Sequence, residues 1–127
     1  MSFLQSLMGG PSTGVQVQTI SGNSAVEFFG DKDTFFVDVR SLGEMQMSGT
    51  IKGAVRAPLP EFTRHARPDG SGSLPAADAD KRIIVVCASG ARSGAACQQL
   101  VSMGYTNVAN LRGGIGAWAH AGGAMER

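Results

Sequence analysis

Histidine and cysteine are scarce in this chain, two of each in 127 residues, and their scarcity removes most metal chemistry. Cys87 and Cys97 match no zinc spacing, and His65 and His120 stand far from both, so neither a metal nor another cofactor is expected. Long apolar runs are missing as well. The longest is about one strand in length, far short of the roughly 20 residues of a spanning helix, so no membrane span is expected. Charge of one sign is not in excess: eleven Lys and Arg face ten Asp and Glu for a net +1. Without a polyanion-binding field, nucleic acid is not an expected partner. "MSFLQSLMGG" lacks the basic start and apolar middle of a secretory signal. A cytoplasmic, reducing setting is therefore expected, where free thiols persist.

What is present is ordinary globular material, 43% hydrophobic and 17% charged, enough for one core without disulfides. Eighteen glycines cluster at turns and in the tails, which points to function built on loops. Residues 1–14 are expected to be a flexible N-terminal arm, although Phe3, Leu4, Leu7 and Met8 could share a helical face. Residues 15–123 form the domain, and 124–127 a C-terminal tail.

Val15 to Ile20 alternates as a strand does. Ser21 can cap a short helix that Gly30 stops. Thr34 to Val37 is β-rich and carries Asp38 and Arg40 at its polar end. Ser41 and Glu44 have capping-box spacing, predicting a short helix through Met47. A brief strand follows near Ala54 to Ala57, ended by Pro58 and Pro60. A polar loop with a helical turn from Pro75 leads to "RIIVV", Arg82 to Val86, whose unbroken β-branched character marks a strand buried on both faces. From Ala91 or Arg92 the apolar period becomes helical, with Gly104 as C-cap. "NVANL" is a last strand, and "RGGIGAWAHAGG" closes with a small helix carrying Ile115 and Trp118. Alternating strands and helices predict a parallel sheet of four or five strands with helices on both faces. Ligands bind such sheets at the carboxyl ends of the strands, so Asp38, Arg40 and Cys87 should share one rim.

Cys87 follows the buried strand and precedes a helix start, where backbone N–H groups lack helical partners. Those donors and the helix dipole favour an anion, and the thiolate is that anion. The residues leave a buried structural thiol, a phosphatase nucleophile and a sulfur carrier in play. Cysteine phosphatases separate nucleophile and clamping Arg by one residue more than the four of "ASGA" here, and often have His where Val86 stands. A shorter ring leaves less room for a phosphoryl group, while a single sulfur atom still fits.

Three stretches together, "FFVDVR…E…GTIKGA", "VVCASGARS" and "LVSMGYTNVANLRGGIGAW", resemble the successive motifs of single-domain rhodanese-like sulfurtransferases. The likeness runs from about Val15 to Gly123. It implies a three-layer α/β/α fold with a central parallel five-stranded sheet, and a persulfide on Cys87 as covalent intermediate. The active loop would be Cys87, Ala88, Ser89, Gly90, Ala91 and Arg92, with Ser93 starting the helix; Asp38, Arg40 and Glu44 match supporting strand-end positions. The chemistry implied is transfer of a sulfane sulfur from a donor such as thiosulfate to cyanide, a thiol or a protein cysteine. A phosphatase or arsenate reductase, or a non-catalytic sulfur-relay or binding module, is the alternative. Thr50 and Lys52 stand where the family commonly has His and Pro, an expected local structural effect. Ser89 replaces a basic residue of the two-domain thiosulfate enzymes, which argues against efficient thiosulfate use.

Arg92 is expected either to clamp an anionic donor or to brace the loop against Glu44 or Asp38. Arg40 is expected either to steer anions toward the rim or, more simply, to form a surface ion pair, Asp38 as a structural acceptor of loop amides, and Ser93 as a donor to sulfur or a cap. Cys97 and Trp118 are expected in the core, and both histidines at the surface.

Overall fold

The computed structural model describes residues 16–127; the predicted N-terminal arm and Val15 lie outside the described residues. Five strands form one sheet: β1 (Gln18–Ile20), β2 (Thr34–Asp38), β4 (Val55–Arg56), β5 (Arg82–Val86) and β6 (Val108–Leu111). Their order is β1-β6-β5-β2-β4, and every pairing is parallel. The most apolar strand, β5, occupies the centre, as a strand without a polar face must. Its side chains alternate between two cores. Ile83, Val85 and Cys87 join Ala96, Cys97 and Leu100 of helix α4 (Ala91–Ser102) on one face. Ile84 and Val86 meet Ala25 of α1 (Gly22–Ala25) and Trp118 of α5 (Gly114–His120) on the other. The expected three layers are thus present.

Local signals explain the helix ends. The Ser21 hydroxyl accepts from the amide of Ser24 at 3.1 Å, and a 3₁₀ turn, Val26–Phe28, extends α1. Helix α2 (Leu42–Ser48) opens on a complete capping box between Ser41 and Glu44. Helix α4 ends in a Schellman arrangement: Gly104 adopts φ +104, Tyr105 donates to the Leu100 carbonyl and Gly104 to that of Val101, each at 3.0 Å. The polar loop contains a 3₁₀ turn at Ala77–Ala79. It is tied down by the Tyr105 hydroxyl, which donates to the carbonyl of Pro75 at 2.7 Å.

The brief strand expected near Ala54 to Ala57 is present as Val55–Arg56, with Ala54 turned back to the carbonyl of Ile51 at 3.0 Å. One expectation needs correction. The supposed tail is folded: β7 (Met125–Glu126) pairs antiparallel with β3 (Thr50–Ile51). Trp118 anchors it, its indole N–H donating to the carbonyl of Ala124 at 2.9 Å. Gly123 lies against the Trp118 ring so closely that a Cβ would overlap it.

Candidate active site

The parallel register aligns Asp38 with Val86, so β2 and β5 end together and deliver Asp38, Arg40 and Cys87 to one rim. Beyond β5 the chain leaves the sheet, and Ala88 and Ser89 form an exposed tip. Gly90, at φ +114, turns it into α4, a conformation that L side chains rarely adopt. The turn brings the Gly90 amide to 3.0 Å from the Cys87 Sγ. The Ser93 hydroxyl, in the first turn of α4, lies 3.3 Å from the same sulfur.

Cys87 and Cys97 are both fully buried, but their surroundings oppose each other. Burial pushes the Cys97 thiol up to about 12, with the nearby Cys87 adding to the effect. Burial also raises Cys87, yet the Ser93 hydroxyl and the amides of Ser93, Gly90 and Ser89 outweigh it, and its pKa falls below the ordinary cysteine value. Hydrogen bonds to the anionic form are the cause. Cys97 is a packing residue, while Cys87 is held for ionisation.

Arg92 braces rather than reaches. Its two terminal nitrogens donate to Glu44 at 2.7 and 2.9 Å. That guanidinium, with the Ser41 amide, holds the Glu44 carboxyl down at about 2. The loop is thereby tied to the start of α2.

Arg40 corrects the sequence expectation, because it is buried and not on the surface. Its guanidinium donates to Asp38, 2.8 Å at the closest, and to the hydroxyl of Ser48 at 2.8 Å and the carbonyl of Gly49. It fills the end of α2, where carbonyls lack helical partners. Asp38, expected to accept several loop amides, accepts one, that of Arg40 at 2.9 Å, together with the guanidinium and the Thr50 hydroxyl at 2.7 Å. Thr50 is therefore part of a buried polar network below the rim.

Two residues that the sequence did not single out support the loop. Asn110, in β6, donates from Nδ2 to the Gly90 carbonyl at 3.0 Å and accepts from the Ser93 hydroxyl at 2.6 Å. Gly114, at φ +69, opens α5 directly beneath the loop, where a Cβ would overlap the carbonyl oxygens of Cys87 and Ala88. Next to it, the amide of Ile115 donates to the Cys87 carbonyl at 2.8 Å. The paired glycines before α5 were the available signal for this approach. Asn110 had none beyond being polar in an apolar strand.

Among the described residues no group of three His, Cys, Asp or Glu is placed to hold a metal, and no helix is long and apolar enough to cross a membrane.

Residues 22–121 match the family described as Rhodanese-like domain. The chain is 38% identical over 91 residues to a sulfurtransferase of Allochromatium vinosum, covering 72% of this chain and 77% of that protein. It is 31% identical over 121 residues to the Arabidopsis thaliana protein HIGH ARSENIC CONTENT 1, mitochondrial, covering 92% of this chain and 70% of that one. A solved structure from Rhodopseudomonas palustris, described as of unknown function and a possible tyrosine phosphatase, superposes with a TM-score of 0.76. Sequence identity to it is 30%, with 87% of this chain and 85% of that one covered.

Proposed function

From a chain that belongs to the rhodanese-like family, we propose a sulfurtransferase that carries a sulfane sulfur as a persulfide on Cys87. The observation that carries this reading is the Cys87 sulfur itself, buried yet facing the Gly90 amide and the Ser93 hydroxyl. Such donors stabilise a thiolate without a general base.

The Cys87 thiolate attacks the sulfane sulfur of a donor such as thiosulfate. The Cys87–sulfur bond forms, the donor's S–S bond breaks, and its electron pair leaves on sulfite. A second nucleophile, cyanide, a thiol or a protein cysteine, takes the outer sulfur and restores the thiolate. Ala88 and Ser89 form the tip that admits the donor, and Gly90, Ala91, Arg92 and Ser93 complete the cradle. Asp38, Arg40 and Glu44 hold the rim in shape. A reducing compartment such as the cytoplasm keeps both thiols free for this cycle.

Steady-state kinetics with donor and acceptor both varied test the scheme. Parallel double-reciprocal lines are expected of a covalent carrier; intersecting lines contradict it. A cysteine-dependent phosphatase or arsenate reductase is the competing enzyme, prompted by the names of two of the similar proteins. The engagement of Arg92 by Glu44 speaks against it, since no clamp then faces a phosphoryl group. Protection of Cys87 from alkylation by phosphate or arsenate would favour that enzyme. Sulfur capture by a partner protein, with negligible small-molecule turnover, would favour a relay module.

A further inference from the structure

Away from the active rim, between the start of β2 and the turn before β4, lies a hollow of about 430 Å³. That size falls within the roughly 300–1,000 Å³ of small-molecule sites. Phe29, Phe35, Phe36 and Val55 give it an apolar floor, and the exposed Lys32 and Lys52 line it as well. One side is shaped by a chain reversal. The Asp31 amide donates to the carbonyl of Phe28 at 3.0 Å across Gly30 at φ +87. The Phe29 ring is left 43% exposed, 6.1 Å from that of the buried Trp118. On the other side the Ala54 amide closes on the Ile51 carbonyl at 3.0 Å, with Gly53 at φ +80. Turns of this kind suit Pro at the position before the glycine. Lys52 holds that position, where the family commonly has Pro, so the turn survives the exchange and gains an ammonium.

The carboxylates nearby are engaged elsewhere. Asp31 accepts from the Thr34 hydroxyl at 2.6 Å and faces Arg82 at 3.7 Å, and Asp33 holds Lys81 at 2.7 Å. Glu126 accepts from the Gly53 amide at 3.0 Å and lies 3.9 Å from Arg56. Among the described residues neither Lys32 nor Lys52 is in an ion pair. Residues 1–15 contain no Asp or Glu, so they bring no carboxylate side chain to these lysines. An inorganic anion would leave the aromatic floor in water, and a neutral apolar body would leave two ammoniums unanswered. We propose that this hollow binds a small amphipathic carboxylate, with its aryl or alkyl body on Phe29, Phe35 and Val55 and its charge toward Lys32 and Lys52. The site is separate from the sulfur chemistry at Cys87 and stands or falls independently of it.

Calorimetric titration of the full chain with hydrocinnamate and octanoate tests this, with the emission of Trp118 recorded in parallel. Trp118 is the single tryptophan of the chain, and Phe29 connects it to the hollow. Both anions are expected to bind and to change that emission. Hydrocinnamide should bind about fivefold more weakly than hydrocinnamate, and acetate, which has no body to bury, should not bind. Lys32→Gln and Lys52→Gln should each weaken hydrocinnamate about threefold, the size of an exposed ion pair. Phe29→Ser should weaken it about fivefold. All three positions are exposed, so folding is not at stake. Cys87→Ser should change the affinity by less than about twofold, since distant sites act independently. No binding of either anion, equal affinity for the amide, binding indifferent to both lysines, or binding lost in Cys87→Ser overturns the assignment. Recruitment to phosphatidylglycerol vesicles through the same lysines, without binding of either free anion, overturns it in favour of a membrane surface.

Discussion

The hydroxyl of Ser93 lies 2.6 Å from Oδ1 of Asn110 and also 3.3 Å from the Cys87 sulfur. A serine has one proton to donate, so it cannot serve both acceptors at once. With Cys87 as a thiol, the S–H can donate to Ser93 while Ser93 donates to Asn110. With Cys87 ionised, one rotation of the hydroxyl turns its proton to the sulfur. Asn110 thus positions the hydroxyl that faces the Cys87 sulfur, and it also holds the Gly90 carbonyl.

Ser93→Ala should raise the Cys87 pKa toward the ordinary range, because it removes the strongest of the opposing influences on a buried thiol. A hydrogen bond to a charged group contributes about 1.5–3 kcal/mol, so persulfide formation at neutral pH should fall about tenfold or more. Ultraviolet titration of the thiolate against pH checks this. An unchanged titration curve would remove Ser93 from the account.

Gly114→Ala and Gly116→Ala make a matched pair. The first places a methyl against the Cys87 and Ala88 carbonyls at a positive φ, while at Gly116 nothing lies within 4 Å. Gly114→Ala should destabilise by about 2–4 kcal/mol and slow Cys87 alkylation. Gly116→Ala should be neutral or stabilising by up to about 1 kcal/mol, as glycine is a poor helix interior residue. Chemical denaturation of both variants provides the comparison.

Asp38→Ala would leave Arg40 buried without its carboxylate. Removing one partner of a buried pair costs about 3–5 kcal/mol, so a large loss of stability is expected although Asp38 does not touch the sulfur. Thr50→Val, which removes only the hydroxyl donor to Asp38, should cost about 1.5–3 kcal/mol, the range of a hydrogen bond to a charged group. Equal effects of the two would contradict a network centred on the ion pair.

Glu44 makes a pH-dependent contribution. Its folded pKa of about 2 lies below the ordinary value of 4.5, so the folded chain holds its proton less tightly than the unfolded one. The contribution is complete above the unfolded pKa and disappears as pH falls through about 2. Thermal unfolding of the wild type and Glu44→Gln should therefore differ at neutral pH and converge at the acid end.

The central strand, the capping box and the cysteine loop are legible in the sequence because each is written in adjacent residues. Arg82 to Val86 has no polar face, Ser41 and Glu44 are one helical turn apart, and Cys87 sits between a strand and a helix. What is not legible depends on contacts across the chain. Arg40 reads as a surface charge until the end of α2 folds over it. The last residues read as a tail until β3 supplies them with a partner strand. Asn110 reads as an ordinary strand residue until β6 lies beside β5 and carries its amide to Gly90.

The most direct measurement of the central claim is the intact mass of the reduced protein after exposure to sulfane donors and removal of excess reagent, beside that of Cys87→Ser. The account predicts a gain of one sulfur atom that cyanide or a thiol reverses and that Cys87→Ser does not show. No adduct from any donor, with Cys87 still open to alkylation, would contradict it.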